Sequence, residues 1–288
     1  MEFRHILFPV DFSQRSRAAG PHVGAMAQRF GAAVTLYHVL ETTPLWAAAG
    51  DGAFVPDLDL SALQADAEER LRQFALDVLP GFIPTRLVEQ GEAGTRIAEL
   101  AKALGADLIM IPTHGHGVFR TALLGSTTSK VLHDTGAAVW TAAHVEDVSP
   151  PAHTEWKSIL CSVDLTPESV ASLQSAARFA KLSGATVRVV HAVPGTDVRP
   201  ESYFDQPFET FLKDYAHKEI TRLQSEAGTD FEICLDVGNI SKVVREAALL
   251  HGADLVMIGR GVAKHFAGRM RTHVWSIIRD APCPVMSL

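Results

Sequence analysis

The sequence predicts an α/β protein of two doubly wound domains, each with a five-stranded parallel sheet. Three observations predict it. First, the chain repeats itself: His5-Ile6-Leu7-Phe8-Pro9-Val10-Asp11-Phe12-Ser13 returns as Ser158-Ile159-Leu160-Cys161-Ser162-Val163-Asp164-Leu165-Thr166. The segment Gly31-Ala32 followed by Val34 to Val39 returns as Gly184-Ala185 followed by Val187 to Ala192, in the same register (Asp11 to Asp164, His38 to His191). Gly105 to Ile111 returns as Gly252 to Ile258, so the chain is a tandem duplication of two domain-sized halves. Second, short β-branched runs alternate with helical periods, the pattern of a parallel sheet with right-handed crossovers. Third, 47% hydrophobic and 20% charged residues among 288 can bury two cores.

In the first half, Ile6 to Val10 is a buried strand ended by Asp11 and Ser13. Ser13 caps a helix to Phe30, on which Ala18, Val23, Ala27 and Phe30 recur at helical spacing, and Gly31 stops it. Val34 to Val39 is a second central strand. Residues 41–60 carry Pro44, Gly50, Gly52 and Pro56 and read as a surface excursion, with Trp46 and Phe54 as an interface or a flap. A helix follows over Ser61–Val78, then a strand over Thr85–Glu89, a helix over Thr95–Leu104 and a strand over Asp107–Ile111. After a loop come a helix over Ser126–His133 and a strand over Ala137–Thr141. The second half repeats the order, with strands near 157–163, 186–191, 230–236, 254–258 and 284–287 and helices near 167–182, 207–226, 241–250 and 272–279. Pro150-Pro151 marks a linker over 146–155 between domains 1–145 and 156–288.

Composition excludes several classes. A formal charge of −7 argues against nucleic acid, whose phosphates need clustered Lys and Arg. Three widely spaced cysteines, Cys161, Cys234 and Cys283, suit reduced thiols in a cytoplasmic protein. No run approaches the roughly 20 apolar residues of a membrane span, and the polar start, Glu2 and Arg4, is unlike a signal peptide.

In a doubly wound sheet, ligands sit beyond the carboxyl ends of strands where crossovers diverge. There the loop Pro112-Thr113-His114-Gly115-His116-Gly117 leads through Val118–Leu124 to Gly125-Ser126-Thr127-Thr128-Ser129. Its glycines permit close backbone approach, and Ser126 opens a helix whose free N–H groups suit an anion. The same residues could equally turn the chain and cap the helix.

The opening Ile6-Leu7-Phe8-Pro9-Val10-Asp11-Phe12-Ser13, the strand ending His38-Val39, the loop after the fourth strand and the final Ala281-Pro282-Cys283-Pro284-Val285 together resemble the universal stress protein family. The likeness covers essentially the whole chain as two family domains. It implies Rossmann-like sheets of strand order 3-2-1-4-5, of the adenine-nucleotide alpha-hydrolase-like kind. It further implies last strands that pair across a pseudo-twofold axis and a possible homodimer of the tandem chain. In the family's ATP-binding branch the loop reads Gly-x-x-Gly, nine residues, then Gly-Ser or Gly-Thr. Here Gly115, nine residues, Gly125 and Ser126 match, while Pro112 replaces the first glycine. Carried over by position, the resemblance places Pro9, Asp11, Val39, Ile111 and Thr113 around the nucleoside and Gly115, Gly125, Ser126 and Thr127 around phosphates, with Mg²⁺ only as the nucleotide's counter-ion.

The second copy departs further. Val262 stands for a glycine, the loop is one residue shorter, Arg271-Thr272 takes the Gly-Ser position and Ser162 replaces Pro9. This copy is expected to have lost the ATP site. Arg260, Lys264, Arg269 and Arg271 could hold a different anion, pair with acidic groups across the domain interface, or form a solvated face. His114, His116 and His133 lack a carboxylate or cysteine at metal-ligand spacing, so no metal is expected. Ser126 lies in no GxSxG elbow, and neither Asp11 nor Asp164 shows an evident partner, so slow ATP hydrolysis is the most catalysis expected. The resemblance implies a cytoplasmic sensor or regulator that binds ATP in its N-terminal copy. The alternative is an interaction module that keeps the fold without the ligand.

Overall fold

The computed structural model describes residues 3–41, 59–113, 125–143, 156–194, 206–260 and 269–288, with the backbone alone at 206–207 and 269–272. They fall into two units, one within residues 3–137 and one from residue 138 onward. The chain is α/β and its strand pairs are parallel with one exception among the described residues.

The N-terminal unit holds β1 (His5–Pro9), α1 (Gln14–Phe30), β2 (Ala33–Leu40), α2 (Leu60–Val78), β3 (Thr85–Gln90), α3 (Ala93–Leu104), β4 (Leu108–Met110) and α4 (Ser126–Asp134). Its strands lie in the order β3-β2-β1-β4. The run Phe8, Leu7 and Ile6 is fully buried because both faces of β1 are covered, which is why it reads as an unbroken apolar stretch. Ser13 Oγ accepts the Ser16 N–H at 3.2 Å and Gly31 closes α1 at φ 62°, both as the sequence predicts. The helices α2 and α3 begin slightly earlier than their periodicity indicates because Asp59 and Glu92 cap them: the Asp59 carboxylate accepts the Ala62 N–H, and Glu92 accepts those of Gly94 and Thr95. The 41–60 excursion falls outside the described residues apart from Glu41, Asp59 and Leu60.

The other unit holds β5 (Ala138–Thr141), β6 (Ser158–Ser162), α5 (Ser169–Ser183), β7 (Thr186–Val193), α6 (Gln206–Ala227), β8 (Glu232–Val237), α7 (Ile240–Leu250), β9 (Leu255–Ile258), α8 (Arg269–Asp280) and β10 (Val285–Ser287), in strand order β5-β10-β9-β6-β7-β8. Here the sheet contains the one antiparallel pair: Val285, Met286 and Ser287 face Thr141, Trp140 and Val139. Both strands are short and buried, and each satisfies a backbone edge that would otherwise stay open. The Ala138–Thr141 strand, read from the sequence as the last parallel strand of the first copy, is therefore grouped with the second. Pro167 and Glu168, read as helical, instead form a tight turn, with Ser169 and Val170 N–H groups bonded to Thr166 and Pro167 carbonyls.

The repeated Gly-Ala-Asp sequence has a mechanical role. Asp107 Oδ2 accepts the Arg4 and His5 N–H groups at 2.8 and 3.0 Å, and Asp254 Oδ2 accepts those of Lys157 and Ser158 at 2.7 and 2.9 Å. Each carboxylate, placed by a helix terminus, pins the start of the central strand.

Candidate functional site

In both copies the exit from the central strand is built alike. Asp11 Oδ1 accepts the Ser13 N–H at 2.9 Å and the Ser16 hydroxyl at 2.5 Å. Asp164 Oδ1 accepts the Thr166 N–H at 3.2 Å and the Thr166 and Ser169 hydroxyls at 2.7 and 2.9 Å. Between them Phe12 and Leu165 take φ of 62° and 63°, a left-handed conformation costly for large side chains. Both aspartates hold that strain, Asp11 through Ser13 and Ser16 and Asp164 through Thr166 and Ser169.

The loop is tied to the next strand by a histidine. His38 Nδ1–H donates to the Val10 carbonyl at 2.7 Å, and His191 Nδ1–H donates to Val163 at 2.8 Å. Burial pushes both imidazoles below the usual histidine range, so each is neutral with Nε2 as acceptor. In the N-terminal copy Phe12 also lies 4.5 Å from the His38 ring, and the Arg70 guanidinium sits 4.3 Å above Phe12.

The β4 side completes the N-terminal edge. The Gly125 N–H donates to the Thr113 carbonyl at 2.8 Å and the Thr128 hydroxyl to the Pro112 carbonyl at 3.0 Å, so the two ends of the 114–124 loop are fastened together. Gly125 caps α4 without a side chain, and the Ser126, Thr127 and Thr128 N–H groups make no hydrogen bond among the described residues. Such a helix start attracts an anion. Register places Pro9 beside Tyr37, with Val39 two residues beyond, and β1 runs beside β4, whose end leads to Ile111 and Thr113. Pro9, Asp11, Val39, Ile111, Thr113, Gly125, Ser126 and Thr127 thus share one sheet edge. Gly115 lies outside the described residues, as do His114 and His116. His133 pairs instead with Asp134, Nδ1 to Oδ1 at 2.5 Å, and no group of three metal-ligating side chains occurs among the described residues.

In the C-terminal copy a cavity of about 260 Å³ opens at the corresponding edge, between the ends of β6 and β9 and the starts of α5, α7 and α8. Arg260, read as a candidate anion ligand, donates its Nε–H to the Leu288 carbonyl at 3.1 Å. Lys264 and the Arg269 and Arg271 side chains lie outside the described residues. Cys161 and Cys283 are buried, and desolvation pushes both thiols up to about 12, as expected of inert structural cysteines.

Sequence reading missed Ser16, Ser169 and the strained Phe12 and Leu165. The signal was present, since each pair recurs at the same separation as Asp11 and Asp164.

These features define a duplicated, doubly wound α/β protein whose site edge lies at the switch point of each sheet. The universal stress protein family model matches residues 2–142 and again 155–287, and the chain belongs to that family. It is 30% identical over 136 residues to universal stress protein A homolog 1 of Coxiella burnetii, covering 46% of this chain and 91% of that one. It is 25% identical over 143 residues to universal stress protein MJ0577 of Methanocaldococcus jannaschii, covering 45% and 88%. The crystal structure of a universal stress protein from Archaeoglobus fulgidus superposes with TM-score 0.69 at 19% identity, over 98% of this chain and 95% of that one. No described helix is long and apolar enough to cross a membrane.

Proposed function

We propose that this chain is a stress-response sensor or regulator of the cytoplasm that binds ATP or a related adenine nucleotide in its N-terminal copy. The observation that carries the reading is the start of α4: a glycine cap fastened to Thr113, followed by three N–H groups with no partner among the described residues. Gly125, Ser126 and Thr127, with Gly115, would hold phosphates. Pro9, Asp11, Val39, Ile111 and Thr113 would line the nucleoside end. When bound, the nucleotide brings its own Mg²⁺ as counter-ion and supplies the charge that these N–H groups recognise. Asp11 serves the site by holding the loop, since its Oδ1 is engaged by Ser13 and Ser16.

We place the domain limits at 1–145 and 156–288, joined by 146–155 as a pseudo-dimer, with a homodimer of the tandem chain as the higher assembly. The alternative, an interaction module that keeps the fold without the ligand, is favoured by Pro112, which lacks the N–H and φ freedom of the glycine it replaces. Calorimetric titration with ATP and AMP separates the two. Saturable heat supports the nucleotide reading, and none at high micromolar ligand establishes the alternative.

A further inference from the structure

The cavity of the C-terminal copy has a chemistry that the N-terminal edge lacks. Ser162 ends β6 and Ser172 lies in the first turn of α5; both are more than nine-tenths buried, and neither hydroxyl makes a hydrogen bond among the described residues. Both residues line the cavity. A buried hydroxyl without a partner costs roughly 1–3 kcal/mol, which a ligand group would recover. At the repeat's constant separation the N-terminal copy has Pro9 and Ala19 in these places, so the second copy alone carries the two hydroxyls.

Charge narrows the ligand. Asp164 and Glu168 line the cavity, and Asp164 Oδ2 makes no hydrogen bond among the described residues because all three donors fall on Oδ1. Glu168 stands where the first copy has Arg15, so the mouth has reversed its charge. An anion would meet these carboxylates, and a cation would meet Arg260, which also lines the space. The acceptors therefore call for an uncharged donor of several hydrogen bonds. Ile240, Ile258, Val274 and Ile277 supply an apolar wall for one ring face. The volume of about 260 Å³ equals roughly nine waters at about 30 Å³ each, below the usual range of about 300–1,000 Å³ for drug-sized pockets.

We propose that the C-terminal copy binds an uncharged ring compound bearing vicinal hydroxyls, of monosaccharide size, through Ser162, Ser172 and the Asp164 carboxylate. A free sugar and the ribose of a nucleoside share this chemistry. Saturation-transfer NMR on the full chain, with D-ribose, D-glucose, adenosine and inorganic phosphate as separate probes, tests the assignment. The expected result is saturable transfer to a neutral probe, unaffected by phosphate and weakened about tenfold or more in Ser172→Ala, which installs the residue of the first copy. The monosaccharide arms responding points to a free sugar, and adenosine alone points to a nucleoside. Binding of the neutral probe persists in Gly125→Arg, where the proposed N-terminal phosphate site is blocked, so either site can fail without the other. No transfer to any neutral probe, displacement by phosphate, or unchanged binding in both Ser172→Ala and Ser162→Ala overturns the proposal.

Discussion

Gly20, in the middle of α1, decides how closely that helix approaches the end of α2, and replacing it with alanine sets two effects against each other. Helix propensity alone favours the change, since glycine in a helix interior costs roughly 0.5–1 kcal/mol relative to alanine. Packing opposes it. A Cβ on Gly20 would stand 1.7 Å from Val78 Cγ1, 3.1 Å from Val78 Cβ and 3.2 Å from the Val78 carbonyl oxygen. Rotating the Val78 side chain relieves the first clash but not the other two, so the helices must separate or Val78 must strain. Overpacking of this kind costs about 1–3 kcal/mol, which outweighs propensity and leaves Gly20→Ala destabilised by about 0.5–2 kcal/mol. Urea unfolding of the full chain, with Val78→Ala and the double variant, measures the effect. Removing the valine methyls relieves the 1.7 Å clash but leaves the contacts with the residue-78 Cβ and carbonyl oxygen, so Gly20→Ala should become only partly less costly, with a coupling of about 0.5 kcal/mol or more. A Gly20→Ala chain that gains stability by the propensity increment, whether or not Val78 is present, refutes the packing account.

Three further outcomes follow from the same contacts. Asp107→Ala, or Asp254→Ala in the second copy, removes an acceptor shared by two backbone N–H groups and should lower stability by about 1–3 kcal/mol, read as a lower urea midpoint. Burial lowers the folded pKa of His38 and His191 beneath the unfolded value of 6.5, so the unfolded chain binds protons first as pH falls. Their contribution is therefore complete above about pH 6.5 and declines below it; unfolding followed from pH 7.5 to 5.5 should show the loss, and His38→Asn with His191→Asn should flatten it. Gly125→Arg should abolish ATP binding by calorimetry, because its side chain fills the space before the α4 N–H groups. Arg271→Gly should create no ATP site, since Val262 and the shorter loop remain; the opposite pattern would move the site to the other copy.

What the sequence made legible was whatever local chemistry decides. Ser13 and Gly31 mark the ends of α1 because a hydroxyl and a left-handed glycine act within a few residues. The apolar runs of β1 and β6 are plain because both faces are buried. The antiparallel meeting of Val139–Thr141 with Val285–Ser287 came only from the family resemblance, since periodicity says nothing of strand direction or partner. Asp107 and Asp254 appeared as part of a repeat, but their partners lie about a hundred residues away. The cavity beside Ser162 and Ser172 was missed because Ser162 was read only as the replacement for Pro9 and a helical serine such as Ser172 reads as solvent-facing; only packing shows these two buried. In the second copy, attention went to the arginines, whereas the described geometry gives Arg260 to the Leu288 carbonyl and leaves the open acceptor on Asp164.

The knot between Thr113 and Gly125 bears on how this protein can change over generations. Because the two ends of the intervening segment are joined by their own hydrogen bonds, its length is decoupled from the sheet beneath. Lengthening a closed loop is entropically cheap, about 0.6 kcal/mol for a doubling. Residues between the fastened ends can thus be inserted, deleted or exchanged while β4 and α4 keep their places. A duplicated gene with such a segment in its first half can alter what that copy recognises while its sheet and helix hold their places.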